Sequence, residues 1–192
     1  MEPTLYVIAG PNGAGKTTFA TRYLPTYADC QIFLNADLIA LDLSHEEPES
    51  QNYKAARLML QQFDSLVAQS ATFSIETTLS GRNYLRRFKQ LMDRGYTIEI
   101  SFLWLPDEEI AVSRVRNRVR QGGHNIPEPD IRRRYKAGLR NFFREYGSIV
   151  SSFGIYNSIE YPPELIAKSV NGLLTVKEPE LFAKATRQGA TL

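Results

Sequence analysis

Residues 10–17 read Gly10-Pro11-Asn12-Gly13-Ala14-Gly15-Lys16-Thr17, a full match to the pattern G-x-x-x-x-G-K-[ST]. The flanks give the match its meaning. Leu5, Tyr6, Val7, Ile8 and Ala9 form an apolar run before it, and Phe19, Ala20, Tyr23 and Leu24 recur at helical spacing after it. Strand, glycine loop and helix is the setting in which the pattern builds a phosphate cradle. Glycines let the backbone approach closely, and amides at a helix N-terminus face anionic oxygen. Residues 10–18, through Thr18, therefore form the predicted nucleotide-binding segment. Lys16 is predicted on the β- and γ-phosphates, and the Thr17 hydroxyl on Mg²⁺.

The order of elements follows from the same reading. Apolar or β-branched runs predict strands at 5–9, 31–35, 72–77, 98–105 and 151–156. Helical periodicity predicts helices at 16–24, 51–69, 83–94, 107–121 and 127–146, with an edge strand at 173–176 and a last helix at 179–187. Gly95 is placed to end the third helix and Pro127 to begin the fifth. Alternating strands and helices predict an α/β fold with a mainly parallel sheet. Ligands of such sheets sit beyond the carboxyl ends of the strands. That rim should gather Asp37, Glu76, Thr77 and Asp107 beside the phosphate loop.

Two carboxylates on the rim could carry chemistry. Asp37 ends the segment Phe33–Asp37 and has three readings: a general base for an acceptor hydroxyl, a Mg²⁺ partner beside Thr17, or the N-cap of a following turn. Glu76, at the end of the run from Thr72, could bind an acceptor hydroxyl, organise magnesium waters or simply be solvated. A third group is cationic. Arg114, Arg116, Arg118, Arg120, Arg132, Arg133 and Arg134 surround Gly122-Gly123-His124-Asn125-Ile126-Pro127. Val112, Val115 and Val119 make the apolar stripe of the first helix, with Arg116 and Arg118 on its opposite shoulders. A glycine hinge between two arginine-bearing helices suits a lid, at about residues 114–134, over a transferring phosphoryl group. One of Arg116 and Arg118 is expected to be catalytic. The stretch from Leu79 to Asn83 mimics the signature loop of transporter ATPases, but Pro106 breaks the matching acidic strand end.

Bulk composition bounds the rest. A chain of 192 residues suits one domain, read as 1–192, and 43% hydrophobic residues is a globular content. A net charge of +2 gives no general argument for nucleic acid or membrane surfaces. The lone Cys30 and two histidines cannot build a disulfide or a zinc site. No apolar run approaches a transmembrane length, and no leader pattern opens the chain. A soluble cytoplasmic protein is predicted.

Four ordered segments together resemble the zeta-toxin family of P-loop kinases, and more closely its short bacterial members. They are I-A-G-P-N-G-A-G-K-T-T-F-A, then L-N-A-D, then S-I-E-T-T-L, then R-V-R-N-R-V-R-Q-G-G-H-N-I-P followed by R-R-R-Y. The resemblance runs from about Leu5 to Tyr156. It implies a three-layer P-loop NTPase/kinase fold with a helical lid, and a phosphotransferase that uses ATP and Mg²⁺ on an alcohol group. In zeta toxins the acceptor is the 3′-hydroxyl of UDP-N-acetylglucosamine. By motif, Asp37 matches the base, Lys16 and Thr17 the nucleotide site, and Glu76 with Thr78 the segment that contacts the acceptor sugar. Arg82, just beyond that segment, joins Glu76 and Thr78 as a candidate acceptor-binding residue. The arginines do not carry over at matching spacing. A small-molecule acceptor is the expected partner, with an antitoxin protein as a second one. Two alternatives stay open: an ATPase switch acting through a protein partner, and a kinase of nucleic-acid ends.

Overall fold

The computed structural model describes residues 2–45 and 48–191. At its centre is β1 (Thr4–Ala9), which pairs in parallel with β3 (Phe73–Thr77) on one side and β4 (Thr97–Trp104) on the other. Val7 sits opposite both Ile75 and Ile100. β1 was visible in sequence as the apolar run Leu5–Ala9, and β4 as Ile98, Ile100 and Phe102 alternating with the half-buried Glu99 and Ser101 before the buried Leu103 and Trp104. Beyond β3 lies the short β2 (Phe33–Leu34). Beyond β4 come β5 (Ser152–Asn157), β6 (Glu164–Val170) and β7 (Leu173–Val176). The order is β2-β3-β1-β4-β5-β6-β7, parallel as far as β5 and antiparallel after it. This is the mainly parallel α/β sheet that the alternation of elements predicts.

Side chains of alternate residues divide between two cores. Leu5, Val7 and Ala9 face a cluster with Phe63, Phe73, Phe88, Phe102 and Phe142. Ile8 faces the other, with Phe19, Leu24, Leu103, Val112 and Val115. The first layer holds α3 (Asn52–Ala68) and α4 (Asn83–Met92), whose buried Ala55, Met59, Phe63 and Tyr84, Phe88, Leu91 recur at helical spacing. The second holds α1 (Lys16–Tyr27) and α5 (Glu108–Arg120). After α4, Gly95 takes φ 83° while its N–H donates to Met92 O and that of Tyr96 to Leu91 O, the glycine stop its position predicted.

Four departures from the sequence reading matter. The predicted strand at 31–35 shortens to two residues because Asn35 turns to cap α2 (Ala36–Leu43), an eight-residue helix where only a turn was expected. The helix predicted at 127–146 divides into α6 (Glu128–Asn141), a π-helical stretch (Phe142–Tyr146) and the short α7 (Gly147–Ile149). β6 was not predicted, because Glu164, Lys168 and Ser169 interrupt its apolar pattern while only Ile166 and Ala167 are fully buried. The last helix, α8, runs Pro179–Thr191, beyond its predicted end. No described helix is long and apolar enough to cross a membrane.

Candidate nucleotide and phosphotransfer site

The phosphate loop leaves β1 at Gly10, where φ is 137° and a Cβ would lie 2.3 Å from Leu103 O. No side chain is compatible with that contact, because the obstacle is backbone of the neighbouring strand. Gly13 and Gly15 also hold positive φ, at 78° and 79°. Gly15 begins α1 in the left-handed region and gives it no side-chain cap. The first-turn amides of α1 are thereby left to an external acceptor, with the positive end of the helix dipole behind them.

Lys16 is 6% exposed. Its Nζ donates to Pro11 O at 2.9 Å and lies 3.6 Å from Glu76 Oε1. Burial pushes the ammonium below its ordinary value, and the carboxylates of Glu76 and Asp37 oppose that shift. A cation held in a buried site with so little compensation is poised for further negative charge.

Glu76 is the junction of the site. Its Oε2 accepts from Thr17 Oγ1 at 2.7 Å and from Asn35 Nδ2 at 2.6 Å. Asn35 is 4% exposed and works at both ends. While Nδ2 holds Glu76, Oδ1 accepts from the amides of Asp37 at 2.8 Å and Leu38 at 3.2 Å. Asn35, then, is the N-cap of α2. That removes the capping reading of Asp37, whose carboxylate instead lines a cleft of about 250 Å³ with Lys16, Thr17, Thr18 and Glu76. Asp107 is a cap: its Oδ1 accepts from Glu109 N at 2.9 Å, at the start of α5.

The arginines separate clearly. Arg118 lines the cleft, and Arg116 does not; it is 62% exposed and pairs with Glu128 at 3.3 Å. Arg132 pairs with Glu108, Glu109 and Glu128, and Arg133 with Asp130, all away from the loop. Arg114 also borders the cleft, but its guanidinium is taken up by backbone. It donates to Gly13 O at 3.2 Å, to Ser158 O at 2.8 Å and to Ile159 O. The Ser158 hydroxyl adds a bond to Ala14 O at 2.6 Å. Arg114 and Ser158 therefore tie the phosphate loop to the chain after β5. Neither tie is legible locally, since 101 residues separate Arg114 from Gly13 and 144 separate Ser158 from Ala14.

The glycine pair is a helix stop. Gly122, at φ 83°, donates to Val119 O, and Gly123 N–H donates to Arg118 O at 2.9 Å, the two bonds of a Schellman motif. A Cβ on Gly123 would lie 2.5 Å from Arg118 Cγ, so this glycine makes room for the Arg118 stem. The guanidinium then donates through Nη2 to His124 O at 2.9 Å, and its Nε is buried without a partner. The expected lid is only partly separate from the body. Ile131, Tyr135, Leu139 and Phe142 of the following segment are buried, and Tyr135 Oη donates to Leu105 O at 2.7 Å.

Two candidate acceptor-binding residues lie outside the cleft. The Thr78 hydroxyl is 2.9 Å from that of Ser80, and Arg82 pairs with Glu145 at 2.6 Å, 70% exposed. For a divalent cation the cleft offers the Thr17 hydroxyl and the Glu76 and Asp37 carboxylates. These are hard oxygen donors of the kind Mg²⁺ takes when it also keeps waters and phosphate oxygens. No cluster of three or more His, Cys, Asp or Glu forms a cage among the described residues. The donor set fits a cation that arrives with the nucleotide.

A family model described as an AAA domain matches residues 5–148. An uncharacterized protein of Haemophilus influenzae is 29% identical over 135 residues, covering 70% of this chain and 94% of its own. Among solved structures, the AvrRxo1-ORF1:AvrRxo1-ORF2 complex with sulphate ions superposes with a TM-score of 0.79 at 19% identity. The alignment covers 96% of this chain and 64% of that one, so the present chain spans less than two thirds of its length. The same complex with ATP gives 0.77. The PezAT chromosomal toxin–antitoxin system of Streptococcus pneumoniae gives 0.65 at 14% identity, covering 99% and 87%. At these identities the structural likeness is one of fold.

Proposed function

The chain belongs to the AAA-domain family matched over residues 5–148, and from that premise we propose that it is an ATP- and Mg²⁺-dependent phosphotransferase acting on a hydroxyl of a small metabolite. One observation carries the reading. Asp37 lines the same cleft as Lys16 and Thr17 although the helix it opens is capped by Asn35. A carboxylate released from capping, and close enough to Lys16 to act on its charge, is what deprotonation of an acceptor hydroxyl requires.

In this reading the loop amides and Lys16 hold the β- and γ-phosphates. Thr17 and Glu76 would hold the cation, which would supply charge neutralisation at the phosphates when bound. Asp37 takes the proton as the acceptor oxygen forms its bond to the γ-phosphorus and the bond to the β-γ bridging oxygen breaks, leaving ADP. Arg118 neutralises charge on the equatorial oxygens. Glu76 is assigned to the cation rather than to the acceptor, because its Oε2 is already bonded to the Thr17 hydroxyl. We read residues 1–192 as one such domain in the cytoplasm.

Nucleotide sugars such as UDP-N-acetylglucosamine lead the acceptors, on the resemblance of the four sequence segments to zeta toxins. The likeness of fold to two-component complexes supports an antitoxin-like protein as a second partner. The test is transfer from γ-labelled ATP across nucleotide sugars, nucleosides and oligonucleotides. Acceptor-dependent label in one small molecule supports the proposal. Release of inorganic phosphate with no labelled acceptor would leave the ATPase switch, and label confined to oligonucleotides would leave the nucleic-acid-end kinase.

A further inference from the structure

A second cavity, basic and separate from the phosphate loop, opens where α4 begins and α6 ends. It has about 410 Å³ and is lined by Arg82, Arg140, Asn141, Arg144 and Glu145. Three guanidinium groups share it with one carboxylate, a local excess of positive charge in a chain whose formal net charge is only +2. The guanidinium fork matches phosphate oxygens two at a time, which an ammonium cannot do.

The wall that holds these arginines is built, not incidental. Asn141, buried, donates from Nδ2 to Leu79 O at 2.9 Å, and Tyr146 Oη donates to Gly81 O at 2.8 Å. Gly138 brings α6 so close that a Cβ would lie 2.3 Å from Thr78 O. The segment leading to Arg82 is thus pinned from three points. Arg82 follows Glu76 by six residues along that segment, a span of at most about 20 Å when fully extended. The cavity therefore opens beyond the same carboxyl end of β3 that serves the phosphotransfer cleft. Among the described residues that line it, the anion is Glu145, paired with Arg82 at 2.6 Å. Arg82 is 70% exposed and Glu145 23%, so water screens the arginine side of the pair. Arg144 donates through Nη2 to Ala190 O, which orients its guanidinium without neutralising it.

We propose that the Arg82–Arg140–Arg144 cavity is an oxyanion-binding subsite that takes a phosphate group carried by the acceptor, with Glu145 as the internal carboxylate that the phosphate displaces from Arg82. Assignment to the acceptor rests on the phosphotransferase reading above; the anion site itself does not.

The experiment is calorimetric titration of inorganic pyrophosphate into the full chain, in two backgrounds. One has the phosphate loop filled by a non-hydrolysable ATP analogue with Mg²⁺; the other is Lys16→Ala without nucleotide. Expected is one pyrophosphate per chain in both, weakened at least tenfold by Arg82→Ala and by Arg144→Ala, and tightened by Glu145→Gln. Affinity should fall with added salt, as counterion competition requires. Absence of binding in both backgrounds overturns the site. So does weakening by Glu145→Gln equal to that of the arginine variants, which would make the cluster a structural ion pair. Malonate binding as tightly as pyrophosphate overturns phosphate as the ligand class in favour of carboxylate. With an acceptor that carries phosphate, Arg82→Ala should raise KM at least tenfold and leave kcat within about twofold; an unchanged KM overturns the acceptor assignment. If the wild-type chain transfers no phosphate to any acceptor, the phosphotransferase reading fails, and the pyrophosphate titration still decides the site.

Discussion

Replacing Asn35 with Asp separates its two tasks and should make the protein's stability fall as pH rises. Asp and Asn cap helices about equally well, so the bonds from Asp37 N and Leu38 N to the side-chain oxygen survive and α2 stays in place. The other end of the side chain changes sign. Nδ2 now donates to Glu76 Oε2 at 2.6 Å; in the variant a second carboxylate oxygen occupies that position. Two carboxylates at that separation cannot both ionise freely, so the pair retains a proton well above the ordinary carboxylate range. With the proton in place, an O–H donor replaces the lost N–H and the cluster is restored. Because the folded state then binds more protons than the unfolded chain, stability is retained at low pH and lost as pH rises through the raised value. A hydrogen bond to a charged group contributes about 1.5–3 kcal/mol. For a domain of this size that corresponds to a drop of about 3–12 °C in Tm on the alkaline side. Scanning calorimetry of wild type, Asn35→Asp and Asn35→Ala from pH 5 to pH 8 reads it directly. Asn35→Ala loses cap and clamp together and should fall at every pH. An Asn35→Asp curve that follows wild type throughout, or one that parallels Asn35→Ala without pH dependence, would refute the geometry assigned to Glu76.

Lys16→Ala should weaken ATP binding by at least tenfold in calorimetry while the far-UV circular dichroism stays that of wild type, because the ammonium lies in the phosphate-loop cleft and belongs to neither apolar core; unchanged affinity would refute its proposed role. Arg118→Lys keeps the charge and loses the planar fork, so single-turnover transfer at saturating ATP should fall by roughly 10³-fold or more, the range for arginine fingers. Arg116→Lys, at an exposed pair with Glu128, should stay near wild type and shift stability by no more than about 0.5 kcal/mol. Equal effects of the two lysine variants would refute the division between them. Gly123→Ala places a Cβ 2.5 Å from Arg118 Cγ and should lower the transfer rate while ATP affinity holds, with a wild-type rate as the contrary result.

The phosphate loop was legible because every element of it is local: strand, glycines, Lys16 and Thr17 lie within fourteen residues of Thr4. The alternation of strands and helices was legible too, because β1 reads as an apolar run and β4 as Ile98, Ile100 and Phe102 alternating with Glu99 and Ser101; the spatial order of the strands was not. Placement of Arg116 and Arg118 on opposite shoulders of α5 followed from helical phase, and the structure puts Arg118 at the cleft and Arg116 outside. Tertiary partners were not legible. Asn35 reads as an ordinary polar residue after a strand until Glu76, 41 residues on, comes within bonding distance. Arg114 could not be told from its neighbours by spacing, because what occupies it are carbonyls of Ser158 and Ile159. β6 escaped because Glu164, Lys168 and Ser169 break its apolar pattern, leaving the adjacent Ile166 and Ala167 as its only fully buried apolar residues.

The role proposed for Asp37, base of a phosphotransfer at the Lys16 cleft, has a direct test. Asp37→Asn keeps the size of the side chain and leaves the Asn35 cap intact, so it removes a basic carboxylate and little else. The measurement is single-turnover transfer from γ-labelled ATP to the best acceptor, beside calorimetric ATP affinity, for wild type and Asp37→Asn. A general base at Asp37 requires a rate lower by roughly 10²–10⁴-fold in the variant, with ATP affinity and Tm near wild type. A variant that transfers phosphate at the wild-type rate would contradict it.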